Sequence, residues 1–248
     1  MFPIINIGPL AVQAPGLILL AGLWLGLSLA EKRAPRHQTN PGHLYNLVFT
    51  ALIAGVIGAR LAFVAVYPQA FAGNLMSLVS LNPGLLDPTA GLAVGVIAAG
   101  IYIQRKNLSL WPTLDALTLA LAVMGTAVGL AHLASGDAFG APADLPWAIE
   151  LWGAARHPSQ VYETILALVI LGLVWTDEID RPTGVFFLRF TAFTAGARLF
   201  LEVFRGDSVL VFGSLRVAQL AAWAALAVSL WLWGKRESEE SGESKSSE

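Results

Sequence analysis

The sequence predicts an all-α integral membrane protein of about seven transmembrane helices, and three observations carry that prediction. Hydrophobic residues make up 56% of the 248-residue chain and charged residues only 13%, whereas about a quarter of a soluble domain is charged. The apolar residues gather into separate runs close to the ~20 residues a bilayer core requires. Lys and Arg concentrate in alternate connections between those runs, the bias that orients membrane helices.

In chain order the predicted spans are 15–30, 44–67, 89–103, 113–133, 159–175, 183–204 and 214–233. No basic residue precedes the first run, and Glu31, Lys32, Arg33 and Arg36 follow it. A cleaved signal peptide carries its positive charge ahead of the apolar stretch, so this order predicts a retained helix with its N-terminus outside. Lys32, Arg33, Arg36, Arg105, Lys106, Arg181, Lys235, Arg236 and Lys245 then fall on the inner side, against Arg156 and Arg205 on the outer. The predicted topology is N-out, C-in.

Two outer connections, 68–88 and 135–157, are too long for turns. They hold Phe71, Leu75, Met76, Leu78, Phe139, Trp147, Leu151 and Trp152, and amphipathic aromatics settle at headgroup depth, so interfacial helices or arms are expected. Gly22-x3-Gly26, Gly91-x3-Gly95 and Gly125-x3-Gly129 predict close helix packing. Residues 1–236 read as one transmembrane domain, and the Ser/Glu-rich 237–248 as a disordered cytoplasmic tail.

Composition also excludes function classes. A formal net charge of −2 offers no basic field for nucleic acid. With no cysteine there is no disulfide framework, thiolate metal site, Cys nucleophile or lipid-modified N-terminal Cys. No metal cluster or cofactor motif stands out. A transporter reading lacks an acid or a broken-helix pair at mid-membrane depth.

The informative residues are the charges inside the spans. Arg60 lies seven residues before the outer end of the second span, ~10 Å deep, and Arg198 six before the outer end of the sixth, ~9 Å deep. Glu202 follows Arg198 by four residues and Arg205 follows Glu202 by three, so the three are expected to share one helix face. The stretch Arg156-His157-Pro158-Ser159-Gln160-Val161-Tyr162-Glu163 packs polar groups into the mouth of the fifth span. Pro158 suits a first helical turn, and the same residues would serve equally for capping and interfacial anchoring. His132 and Asp137 belong to the same outer region. Arg at membrane depth requires an acid or an anionic headgroup as partner, and planar guanidinium forks suit phosphate. A structural Arg198–Glu202 ion pair is one reading. A pocket for a phospholipid headgroup in the outer leaflet is the other.

Taken together, His157-Pro158-Ser159-Gln160-Val161-Tyr162-Glu163, Gly58-Ala59-Arg60-Leu61 and Arg198-x3-Glu202-x2-Arg205, with Gln219 after them, resemble the prolipoprotein diacylglyceryl transferase family, and the likeness runs to about Trp233. The resemblance implies a seven-span, multi-pass protein of the bacterial cytoplasmic membrane. It implies transfer of diacylglycerol from phosphatidylglycerol to the lipobox cysteine thiol in the signal peptide of a preprolipoprotein, with release of glycerol 1-phosphate and no cofactor. That chemistry needs cations on the phosphate and a base that raises the thiolate fraction. By similarity Arg198 and Glu202 match catalytic positions, with Arg60, Arg205, Gln160, Tyr162 and Glu163 around them as substrate-binding candidates.

The chain departs from the family pattern in several places. Where the family reads Gly-Arg-x-Gly-Asn-Phe-x-Asn-x-Glu-x-x-Gly, residues 128–140 place Gly129 on the Arg, His132 on the first Asn, Ser135 on the second and Asp137 on the Glu. Thr89 stands where the family has His, and Pro15 where members often carry Tyr. An active transferase would then draw a replacement cation from Arg156 or Arg205 and a base from His132 or His157. A relative using another acceptor, or one binding phospholipid without transfer, are the alternatives.

Overall fold

The computed structural model describes residues 4–7, 10–71, 83–176, 181–211 and 215–246. Among these it is mainly helical: α1 Ala14–Arg33, α2 Pro41–Val66, α3 Pro88–Arg105, α4 Leu110–Ser135, α5 Ser159–Thr176, α6 Val185–Glu202 and α7 Val217–Ser246. Five segments are long and apolar enough to cross a membrane: Ala14–His37, Pro41–Val66, Leu110–Ser135, Ser159–Thr176 and Val217–Glu240. The architecture is that of an all-α membrane protein.

Helix starts follow local chemistry. The Asn40 side chain accepts from Gly42 N ahead of α2, and Asp87 accepts from Ala90 N ahead of α3, each with a proline in the first turn. The start of α6 is capped across space instead. Asp115 of α4, 4% exposed, accepts from Gly184 N at 2.6 Å and Phe187 N at 2.9 Å, satisfying donors that a helix start leaves open.

Three antiparallel hairpins accompany the helices: β1 Ile4–Ile7 with β2 Leu10–Gln13, β3 Ile149–Leu151 with β4 Ala154–Arg156, and β5 Leu210–Val211 with β6 Leu215–Arg216. The connection 135–157, expected as an outer interfacial helix or arm, is thus built partly as the β3–β4 hairpin, with Trp152 and Gly153 both at positive φ in its turn. In the other connection, Leu75, Met76 and Leu78 fall outside the described residues. Helical geometry in α7 continues past Trp233 to Ser246, where composition favours disorder; one-turn pairs, Trp233–Glu237 and Lys235–Glu239, accompany the extension.

Packing contacts form two compact units, Met1–Gln38 with Leu114–Glu248, and Thr39–Thr113. The first unit has a core of Leu119 and Ala122 from α4 and Ile170 and Val174 from α5, covered by Leu29 and the α6 phenylalanines Phe186, Phe190 and Phe193. Gly26 brings α1 against α4 so closely that a β-carbon there would stand 3.0 Å from the Ala120 carbonyl. Gly129 does the same between α4 and α5, whereas Gly125 meets nothing within 4 Å. In the second unit Gly91 and Gly95 of α3 pack against Gly55 and Ala51 of α2. Close approach through small residues is the usual basis of helix association in membranes.

Candidate functional site

The end of the first unit where α4 and α6 finish and α5 and α7 begin carries most of the candidate residues. α4 leaves its last turn through Gly136 (φ 85°) and Ala138 (φ 55°), which turn the chain back over the tip of α5. Ser159 and Gln160 open α5 and are buried. The Ser159 hydroxyl donates to the Ala138 carbonyl at 2.5 Å, and Gln160 Nε2 to the Asp137 carbonyl at 3.0 Å. The loop is stitched equally to the end of α6, with Ala141 N donating to Phe204 O at 2.8 Å and Gly206 N to Phe139 O at 2.9 Å. Gly140 must be glycine here: a β-carbon would overlap the His157 carbonyl oxygen.

The sequence-predicted residues divide by what they touch. Arg156 gives Nε to Leu151 O at 3.0 Å and Nη1 to Gly140 O at 3.2 Å, with its guanidinium carbon 4.9 Å from the Phe139 ring centre. Its donors secure the hairpin and the loop. Asp137 takes part through its main-chain carbonyl, while the residue itself is exposed. His157 packs edge-on against Tyr162 and Phe204 at 6.4 and 5.2 Å between ring centres. Its Nδ1 is buried with no hydrogen-bond partner among the described residues. The Tyr162 hydroxyl accepts from Trp147 Nε1 at 2.9 Å. Trp147, His157, Tyr162, Ile165, Phe200 and Phe204 line an apolar groove of ≈ 490 Å³.

Among the described residues three charged pairs stand at this end. His132 Nδ1 of α4 meets Glu163 Oε2 of α5 at 2.7 Å, with side chains 30% and 17% exposed. Arg198 Nη2 lies 3.3 Å from Glu202 Oε2, one turn on in α6. Arg205 forks onto Asp207 with bonds of 2.9 and 2.7 Å. Glu202 is fully buried, and its other oxygen accepts from the Ser208 hydroxyl. Arg198 is 34% exposed, and the 3.3 Å contact fails hydrogen-bond geometry, so Glu202 Oε2 has no hydrogen bond among the described residues. Arg198 therefore faces its acid while its N–H donors make no hydrogen bond among the described residues. The Arg198–Glu202 pair was legible from its four-residue spacing. Continuation of that face to Arg205 was not correct: α6 ends at Glu202, and a backbone bridge from Arg205 to Gly140 takes the chain off the helix.

Arg60, in the other unit, is 8% exposed. Its Nη1 donates to Leu85 O at 2.7 Å and its guanidinium carbon lies 5.0 Å from the Phe71 ring centre. Sequence reasoning took Trp147 only as an interfacial aromatic and passed over Asp207 and Ser208. The Gly-Asp-Ser cluster at 206–208 marks a turn, but nothing local says that its side chains reach back to Arg205 and Glu202.

The sequence model of the family described as prolipoprotein diacylglyceryl transferase matches residues 3–234. The chain belongs to this family. Relatives named phosphatidylglycerol–prolipoprotein diacylglyceryl transferase cover nearly all of it. The Gloeobacter violaceus protein is 30% identical over 256 residues, 96% of this chain and 94% of the relative. The Synechococcus elongatus protein is 27% identical over 257 residues, covering 95% and 88%. The Symbiobacterium thermophilum protein is 28% identical over 256 residues, covering 97% and 95%. The motif residues that carry the family likeness in the first unit, His157 to Glu163 and Arg198 to Arg205, are those that build this end of the bundle.

Proposed function

We propose that this chain moves the diacylglyceryl group of phosphatidylglycerol onto the lipobox cysteine thiol of a prolipoprotein, releasing glycerol 1-phosphate, at the outer leaflet of the bacterial cytoplasmic membrane. Residues 1–236 act as one transmembrane domain with seven spans, N-out and C-in, as the Lys/Arg bias supports. Family membership over residues 3–234 supports the reaction class. The observation that carries the site is Arg198, whose guanidinium is partly exposed beside a buried acid and makes no hydrogen bond of its own among the described residues. A planar fork of unengaged N–H groups suits phosphate oxygens, and a fixed cation there stabilises charge developing on the leaving phosphate. Glu202 orients that fork, and Ser208 orients Glu202. Gln160, Arg156 and the Asp137 backbone hold the loop over the site, while Arg205 with Asp207 fixes its far edge. Arg60 is retained as a headgroup-depth cation of its own unit. The groove beside Tyr162 receives an acyl chain.

The test is complementation of a strain depleted of its own transferase. Wild type should restore growth and Arg198→Ala should not; indifference to Arg198→Ala would remove the residue on which the site is built. Binding without transfer is the reading favoured by Gly129, where the family motif carries a cation and this chain has no side chain. That protein would bind phosphatidylglycerol vesicles yet leave a lipobox peptide unmodified.

A further inference from the structure

The reaction above leaves a proton unassigned, because the thiolate and not the thiol attacks carbon. We infer that His132, held by Glu163, is the group that takes it. This assignment rests on the transferase reading and adds to it the identity of the base. The geometry is that of an oriented imidazole: Nδ1 faces the Glu163 carboxylate at 2.7 Å, which selects the tautomer with its proton on Nδ1 and leaves Nε2 as the free acceptor. A nucleophile's base held in turn by a third group is the recurrent pattern of activated nucleophiles. The side chain is 30% exposed and lies three residues before the end of α4, at the end of the bundle that also carries Arg198.

The other histidines are placed differently. His157 has its ring enclosed by Tyr162 and Phe204 and its Nδ1 buried. His37 stacks on Phe186 near the start of α6, one helix length from Arg198. His43 meets the Tyr102 hydroxyl in the other unit.

The step balances. The S–H proton passes to His132 Nε2, and the thiolate sulfur forms a bond to the glycerol carbon bearing the phosphate ester. The carbon–oxygen bond to phosphate breaks, with its electron pair leaving on glycerol 1-phosphate. The imidazolium then returns the proton to that phosphate monoester and is neutral for the next turnover.

The experiment compares two acceptor peptides with the full-length protein in phosphatidylglycerol vesicles: a lipobox peptide with cysteine, and the same peptide with selenocysteine, whose selenol ionises unaided at neutral pH. His132→Gln should lower kcat/KM for the thiol by about 10²–10³-fold and for the selenol by less than about tenfold; retained selenol turnover also proves that the variant folds. Glu163→Gln should show a smaller loss of the same selectivity, and the double variant should be no worse than His132→Gln alone. Equal losses with both acceptors would mark His132 as structural and overturn the assignment, as would a fully active His132→Gln. In both of those cases Arg198-dependent transfer by the wild type leaves the transferase reading standing. Wild-type protein inert towards both peptides overturns that reading and this one with it.

Discussion

Gly129→Ala probes how one small residue controls a contact a helical turn away. A β-carbon at Gly129 would lie 2.8 Å from Thr164 Oγ1, 3.0 Å from Thr164 Cα and 3.1 Å from Thr164 N. The hydroxyl is held by the Gln160 carbonyl at 2.8 Å, and the other two atoms are helix backbone. Ordinary contact begins at 3.4 Å, so α4 and α5 must part by roughly half an ångström, because close-packed interiors have no slack to absorb it. His132 follows Gly129 by three residues and Glu163 adjoins Thr164, so the same separation stretches the 2.7 Å His132–Glu163 contact to about 3.2 Å, the edge of a sound hydrogen bond. Overpacking of this kind costs about 1–3 kcal/mol, or a fall in Tm of about 2–12 °C. A base displaced by part of an ångström should lose about tenfold or more in turnover. Thermal unfolding in detergent and transfer in phosphatidylglycerol vesicles measure the two effects on one preparation. A variant with wild-type Tm would show that the helices are not in contact here. A variant that loses stability but keeps full turnover would show that the His132–Glu163 contact is irrelevant to the chemistry.

Arg198→Lys should keep partial activity and Arg198→Ala should lose about 10²–10³-fold in kcat, read by mass shift of the acceptor peptide; equal activity of the two would deny the fork a role. Gln160→Ala removes the loop bond made by a fully buried side chain and should cost about 1–3 kcal/mol along with more than tenfold in turnover, and unchanged protease sensitivity at 136–158 would count against the stitching. Asp115→Ala strips the start of α6 of two caps and should cost about 2–4 kcal/mol. Thermal unfolding reads that loss, while transfer at low temperature should stay near wild type because the cap lies at the far end of α6 from Arg198.

Most of the helical architecture was legible because the signal is redundant: among the described residues five segments are long apolar runs, and a boundary error of two or three residues changes little. The hairpins had no such redundancy. The β3–β4 turn places Trp152, a residue without turn preference, at φ 54°, and only Gly153 beside it signals a reversal. The sequence also marks which polar residues gather at this end of the bundle without saying what each one touches. Arg156, Arg198 and Arg205 look alike on paper. In the structure Arg156 serves two carbonyls, Arg205 is forked by Asp207, and Arg198 alone of these three makes no hydrogen bond among the described residues. Those differences depend on a loop that folds back across three helix ends, which spacing along the chain does not encode.

The pairing of each cation has a consequence for how an anion could be held. An unpaired guanidinium at membrane depth would attract phosphate strongly but would be costly to keep while the site stands empty. Arg198 beside a buried Glu202 is close to neutral as a unit, so the empty site carries little electrostatic penalty, and an incoming phosphodiester meets donors rather than bare charge. The Ser208 hydroxyl bonds the other carboxylate oxygen, Glu202 Oε1, while the 3.3 Å contact from Arg198 to Oε2 lacks hydrogen-bond geometry. In the proposed site, the attraction to Arg198 would grow as the leaving phosphate gains charge while the Glu202 contact stays constant. Stabilisation is then larger in the transition state than in the bound substrate, which is the condition for a faster chemical step rather than merely tighter binding.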